Sequence, residues 1–120
     1  MGSEKHRMRK ISFKVSEDVY QRLEGFAIKK NMSRSEAIRL AIDKLLGRKF
    51  NGPITAPQIS GRGRGITMTI PPDQLERLDK FSDDHGLTRS EAIRLAIEML
   101  LEEETESDIL PRLTVEKIRL

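Results

Sequence analysis

Polar residues alternate with apolar ones in two short segments of the chain. The segment KISFKV places them at positions 10, 12 and 14, and GITMTI places glycine or threonine at 65, 67 and 69. A period of two puts these positions on one exposed face of a strand, above a buried face. Such a face offers cations and hydrogen-bonding hydroxyls for binding. Its residues are Lys10, Ser12, Lys14, Gly65, Thr67 and Thr69.

Residue groupings typical of an enzyme or a metal site are missing from the sequence. There is no cysteine, and the only histidines are His6 and His85. No pair of carboxylates, nucleophile with a base, or metal-ligand spacing stands out. We therefore expect no enzymatic activity, metal or other cofactor. No apolar run approaches the ~18 residues of a membrane span, so we expect a cytoplasmic protein that has no membrane partner.

Charge is distributed unevenly along the 120 residues. Residues 1–64 carry 15 Lys and Arg against 6 Asp and Glu, whereas residues 65–120 carry 7 against 13. A basic half favours a polyanionic partner such as nucleic acid, and a solvated surface of mixed charge is the alternative.

A duplicated module accounts for most of the chain. The nine residues RSEAIRLAI occupy positions 34–42 and again 89–97, and the same shift aligns residues 11–46 with residues 66–101 without a gap. After each strand, apolar residues at helical spacing predict a first helix. Asn31 and Gly86 stand where a left-handed residue would end that helix. Capping boxes at Ser33 and Thr88 then begin a second, strongly apolar helix.

One copy is too short to sustain its own core, because chains below ~40 residues rarely do so. Two copies can pair their strands into an antiparallel ribbon and bury their second helices against each other. We predict a mainly α protein with a short two-stranded antiparallel β-ribbon, paired within one chain or between two chains. The predicted segments are a basic N-terminal arm (1–9), repeat 1 (10–46), a basic Gly/Pro linker (47–64), repeat 2 (65–104) and a C-terminal tail (105–120).

These segments resemble the ribbon-helix-helix DNA-binding family of the Arc, MetJ and CopG type, over residues 10–46 and 65–101. The resemblance implies two ribbon-helix-helix repeats that form a pseudo-dimer on double-stranded DNA, most simply a transcriptional repressor. It implies that the six exposed ribbon positions read bases in the major groove, while the second helices clamp phosphates with their N-termini. Arg64 would substitute for the side chain that Gly65 lacks. The implied phosphate-binding residues are Ser33, Arg34, Ser35, Arg64, Thr88, Arg89 and Ser90.

Two other functions fit the same sequence. One is an antitoxin-type autorepressor whose residues 109–120, bounded by Ile109 and Leu120, bind a toxin, although this segment can also pack on its own domain. The other is a nonspecific architectural or partition protein that self-associates on DNA. The basic N-terminal arm would follow DNA or serve as a solubilising tail, and the acidic run at 102–108 is expected to be a solvated helix extension. Arg39 and Arg94 are expected to face solvent beside acidic neighbours.

Overall fold

The computed structural model describes residues 7–119 and the side chains of residues 7–104. The succession strand, helix, helix occurs twice, as predicted. The elements are β1 (Arg9–Ser16), α1 (Glu17–Lys29), α2 (Arg34–Leu46), β2 (Gly63–Ile70), α3 (Pro72–Asp84) and α4 (Arg89–Arg119). This confirms the mainly α fold with a short ribbon. The second strand begins at Gly63, so Gly63 and Arg64 of the expected linker belong to the ribbon.

The two strands pair antiparallel within one chain, which answers the question that the sequence left open. Ser12 lies opposite Thr67, and these two residues occupy equivalent positions in the two repeats. A pseudo-twofold axis therefore passes through this pair. The alternate positions of both strands point into the core, as the period of two predicts.

The core is one continuous cluster of apolar side chains shared by both repeats. Ile38 and Ile42 of α2, with Ile93 and Ile97 of α4, are fully buried where the second helices pack together. Buried side chains of the first helices and of the ribbon complete the same core. Because RSEAIRLAI presents apolar residues over a wide face, the identical stretch of each repeat buries the other.

A residue in the left-handed region follows the end of each first helix, as predicted. Asn31 has a φ of 56° and Gly86 a φ of 67°. These conformations reverse the chain within a few residues and bring the second helix back over the first. Ser16 is the N-cap residue of α1, as its position before Glu17 and Asp18 predicts, but its hydroxyl makes no capping hydrogen bond. Its hydroxyl accepts a hydrogen bond from the Ser60 amide at 2.8 Å instead.

The linker packs along one side of the molecule. Ala56 is buried, and the Pro57 carbonyl accepts a hydrogen bond from Arg94 Nε at 3.2 Å. Further along, the Arg62 carbonyl accepts from the Glu17 amide at 3.2 Å. On the pseudo-equivalent side of the molecule, α2 and α3 border a groove that is left open. Its lining includes Met32, Glu36, Arg39, Leu40, Gln74 and Arg77. The linker thus breaks the symmetry of the repeats.

The acidic residues after the second RSEAIRLAI tie repeat 2 to repeat 1. Glu103 pairs with Lys44 and, at 3.1 Å, with Arg48. Glu104 pairs with Lys30 at 3.2 Å. The helix continues through the acidic run, and Glu103 and Glu104 are partly exposed side chains that pair with basic residues of repeat 1.

The segment predicted to bind a protein partner, residues 109–120, lies outside the described side chains, and residues 1–6 of the predicted arm lie outside the described part. Among the residues that the structure describes, no helix is long and apolar enough to cross a membrane.

Candidate nucleic-acid interface

The ribbon brings all six predicted base-reading residues onto one exposed face. The register sets Lys10 opposite Thr69, Ser12 opposite Thr67 and Lys14 opposite Gly65. At roughly 3.3 Å per residue along a strand, these positions extend over about 13 Å. That length matches about four steps of a DNA duplex at roughly 3.4 Å each.

The centre of this face is a pair of hydroxyls. Ser12 Oγ and Thr67 Oγ1 lie 3.1 Å apart, within hydrogen-bonding distance, and either atom can be the donor. Because each hydroxyl has one donor and two acceptor positions, the pair keeps one free donor and several acceptor positions. The centre can therefore both donate to and accept from a base edge.

The two ends of the face differ in chemistry. Both lysines come from repeat 1, yet the antiparallel register carries them to opposite ends, Lys10 beside Thr69 and Lys14 beside Gly65. A Cβ added at Gly65 would meet nothing within 4 Å. Packing within the chain therefore does not require glycine there, and its missing side chain leaves space for a partner to approach the backbone.

Both second helices begin with a complete capping box. Ser33 Oγ accepts from the Glu36 amide at 3.1 Å, while Glu36 Oε1 accepts from the Ser33 amide at 2.8 Å. Thr88 and Glu91 form the same two bonds at the same distances. The backbone hydrogen bonds lower the pKa of both glutamates.

The boxes leave specific amides for a ligand. The first residues of a helix have no carbonyl partner one turn back, so the amides at positions 34 and 35, and at 89 and 90, remain available at the positive end of each helix. The residues at these positions, predicted to bind phosphate, are Arg34, Ser35, Arg89 and Ser90.

The side chains of Arg34 and Arg89 each lie along the first helix of their own repeat. Arg89 makes a bidentate ion pair with Asp79, at 2.8 and 2.9 Å, and this bond raises the pKa of Arg89. Arg34 stands 3.9 Å from Glu24, which is the equivalent of Asp79, and its guanidinium lies 4.7 Å from the Tyr20 ring centroid. Each helix start thus combines free amides with a guanidinium whose position is set by an acidic residue of the first helix.

The Arg64 side chain turns away from the open space at Gly65. Its guanidinium lies 4.0 Å from the Tyr20 ring centroid and pairs with Glu17 at 2.9 Å. Hydrogen bonds from Gln21 and then from Arg64 lower the pKa of Glu17, and the bond to Glu17 raises the pKa of Arg64. In the free protein, Arg64 therefore braces the end of the ribbon against α1.

Arg39 and Arg94 are the residues that sequence reasoning placed incorrectly. Arg39 Nη1 donates to the Thr69 carbonyl at 2.8 Å, and Arg94 Nη1 donates to the Lys14 carbonyl at 3.2 Å. The expected acidic neighbours are present, since Arg39 contributes to lowering the pKa of Glu36. Each arginine nevertheless donates to the ribbon strand of the other repeat, and Arg94 donates in addition to the Pro57 carbonyl of the linker. The sequence shows only that the two arginines occupy the same position of RSEAIRLAI. That position does not reveal which backbone carbonyl accepts their hydrogen bonds.

Comparison with known proteins identifies two matching regions. The family model for ribbon-helix-helix proteins of the copG family matches residues 9–49 and 65–104, so both repeats are recognised separately. The chain is 46% identical over 57 residues to the uncharacterized protein ORF59b of Acidianus filamentous virus 1, covering 48% of this chain and 97% of that protein.

Two further relatives come from viruses. The chain is 46% identical over 54 residues to the uncharacterized protein 59 of Sulfolobus islandicus rod-shaped virus 1, covering 45% of this chain and 92% of that protein. It is 49% identical over 39 residues to the uncharacterized protein ORF60 of Acidianus two-tailed virus, covering 32% of this chain and 65% of that protein. No solved structure gave a significant match.

Proposed function

Because the chain belongs to the ribbon-helix-helix family of the copG type, whose members are DNA-binding transcription regulators, we propose that it binds double-stranded DNA sequence-specifically and represses transcription. The ribbon enters the major groove, and the second helices bind the flanking phosphates through their N-termini. Repression follows from occupying the DNA, and no chemical step is involved.

The observation that carries the proposal is the exposed face of the ribbon. It collects the lysines of repeat 1 and hydroxyls of both repeats over a length of about four base-pair steps, with the buried positions of the same strands facing the core. Lysine can donate to guanine O6 and N7, and threonine can hydrogen-bond a base or contact a thymine methyl group. The two capped helix starts supply contacts that position the ribbon without reading sequence.

The test is selection of bound sequences from a random pool of duplex DNA with the full chain at moderate salt. We expect one enriched sequence, bound at least 10³-fold more tightly than a scrambled duplex, since specific binding is typically about 10³ to 10⁷ tighter than nonspecific binding. Enrichment of no sequence, with cooperative coating and a steep salt dependence, would instead identify a nonspecific architectural protein.

Variants separate base reading from phosphate binding. Lys14→Ala should reduce the preference for the selected sequence, whereas Arg34→Ala should weaken binding to all sequences alike. Lys49→Ala is the matched control, because it removes the same charge from an exposed lysine that lies off the ribbon. Equal effects of Lys14→Ala and Lys49→Ala on the preference would contradict base reading by the ribbon.

A further inference from the structure

We propose that Arg39 and Arg94 determine specificity as positioning residues, each fixing the ribbon strand of the opposite repeat at a base-reading position. The inference rests on the proposed function and deepens it, because it concerns how the same ribbon holds its reading side chains. Neither arginine belongs to the exposed face that would contact bases.

The same bond is made on both sides of the pseudo-twofold axis. Arg39 lies on α2 of repeat 1 and reaches Thr69 of repeat 2, while Arg94 lies on α4 of repeat 2 and reaches Lys14 of repeat 1. Both the donors and the acceptors occupy equivalent positions in the two repeats. The bond recurs although the linker covers only the Arg94 side, so its formation does not depend on the surroundings of one arginine.

A two-stranded ribbon needs such support because both of its strands are edges. Carbonyls that point outward from an edge strand have no partner within the sheet. A guanidinium donor makes a charge-assisted hydrogen bond, which is stronger than a neutral one. At Thr69 and Lys14 the carbonyl and the reading side chain belong to the same residue, so holding the carbonyl restricts the direction in which that side chain leaves the strand.

The arginines stand on the two second helices, which pack against each other in the core. Each is half-buried and follows directly after a fully buried isoleucine, Ile38 before Arg39 and Ile93 before Arg94. In addition, the backbone carbonyl of Arg39 accepts a hydrogen bond from Gln74 Nε2 of repeat 2 at 3.0 Å. A reading side chain is most selective when a packed element of this kind holds it in place.

The experiment measures preference position by position along the selected DNA. Arg39→Ala should reduce preference roughly threefold to tenfold at the base pairs that Thr69→Ala affects. This is less than the full effect of losing one charge-assisted hydrogen bond, because only part of that bond's energy bears on the direction of the side chain. This variant should not change the preference at the base pairs that Lys14→Ala affects. Arg94→Ala should give the reverse pattern. Arg39→Lys, which keeps a donor at the same place, should restore part of the preference.

Arg77→Ala is the control, because Arg77 lines the same groove as Arg39 but lies on α3. It removes the same charge and should lower affinity for all sequences equally. A double variant, Arg39→Ala with Thr69→Ala, should lose no more preference at the affected base pairs than Thr69→Ala alone. The thermal midpoint of each variant checks that it is folded at the temperature of the assay.

The outcomes distinguish this inference from the proposed function. Suppose that the wild-type chain prefers a sequence, but Arg39→Ala and Arg94→Ala reduce that preference equally at all base pairs or leave it unchanged. The positioning role is then overturned, and the proposed function stands. If the wild-type chain shows no preference among DNA sequences, both the proposed function and this inference fail.

Discussion

Ser12 and Thr67 bind each other across the ribbon, and this bond decides what the centre of the exposed face can offer a partner. The two hydroxyls lie 3.1 Å apart on the pseudo-twofold axis. One hydroxyl proton is used within the pair and the other is free, so the centre presents a single donor whose position can switch between the two residues. The Thr67 methyl group adds an apolar contact beside it.

Thr67→Val tests the hydroxyl without changing the shape of the side chain. We expect about a tenfold loss of preference at the central base pair, because one base contact contributes roughly 1–3 kcal/mol to discrimination. The free energy of unfolding should change little, since Thr67 is exposed. Competition between the selected duplex and its central-base-pair variants measures the effect. Thr55→Val, at an exposed position in the linker, is the control, and an equal loss there would contradict the assignment.

At the scale of the elements, the capping boxes link the stability of the fold to pH. Glu36 and Glu91 each accept a hydrogen bond from the amide of their N-cap residue. The pKa of each lies below its ordinary value of about 4.5 in the folded protein. A depressed pKa means that the ionised form favours folding. The contribution is therefore fully present above the ordinary pKa and is lost as pH falls through the folded pKa.

Replacing both glutamates, as Glu36→Gln with Glu91→Gln, should make the free energy of unfolding depend less on pH in the acidic range. The amide keeps an acceptor but no longer titrates, so the variant should be less stable than the wild type at pH 7 and approach it below the folded pKa. Urea unfolding between pH 7 and pH 3 measures the difference. Glu76→Gln, on the exposed surface of α3, is the control. A stability difference that does not change with pH would contradict the linkage.

The second helices form one seam, so equivalent substitutions in the two repeats should have equivalent effects. Ile42→Ala and Ile97→Ala each remove a fully buried side chain from the same core. We expect each to lower the free energy of unfolding by about 2–5 kcal/mol, in a single transition. Ile28→Ala, at a side chain that is 78% exposed, should have little effect. Two separate transitions in denaturant would show instead that the repeats unfold independently.

The elements could be predicted from sequence because their signals are local. Alternation gives the strands, and the capping boxes and the left-handed positions at Asn31 and Gly86 bound the helices. The partners of Ser16, Arg39 and Arg94 could not be predicted in this way. Each of these side chains bonds to a residue at least 30 positions away, and such a bond depends on how the repeats and the linker come together in space.

At the scale of the whole molecule, part of the charge asymmetry is used inside the chain. The basic residues Lys30, Lys44 and Arg48 of repeat 1 pair with Glu103 and Glu104 of α4. Exposed pairs of this kind contribute only about 0–1 kcal/mol each, but they neutralise basic residues that lie away from the ribbon. Of the lysines in the described part of the chain that form no ion pair, Lys10 and Lys14 face outward on the ribbon and Lys49 lies off it.

The antiparallel register also predicts the symmetry of the bound DNA. Positions that the pseudo-twofold axis relates carry different residues in the two repeats. Repeat 2 has Gly65 where repeat 1 has Lys10, and Thr69 where repeat 1 has Lys14. The DNA sequence selected by one chain should therefore lack a dyad.

A variant with Gly65→Lys, Thr67→Ser and Thr69→Lys repeats the exposed residues of β1 on β2 and should select a palindromic site. Lysines opposite each other lower stability somewhat, so circular dichroism must first show that the variant is folded. Sedimentation must also show that the wild type and the variant are monomers of 13.7 kDa. Selection from random duplex DNA with each protein then compares the two sites. A palindrome selected by the monomeric wild type would mean that the divergent strands do not read the bases.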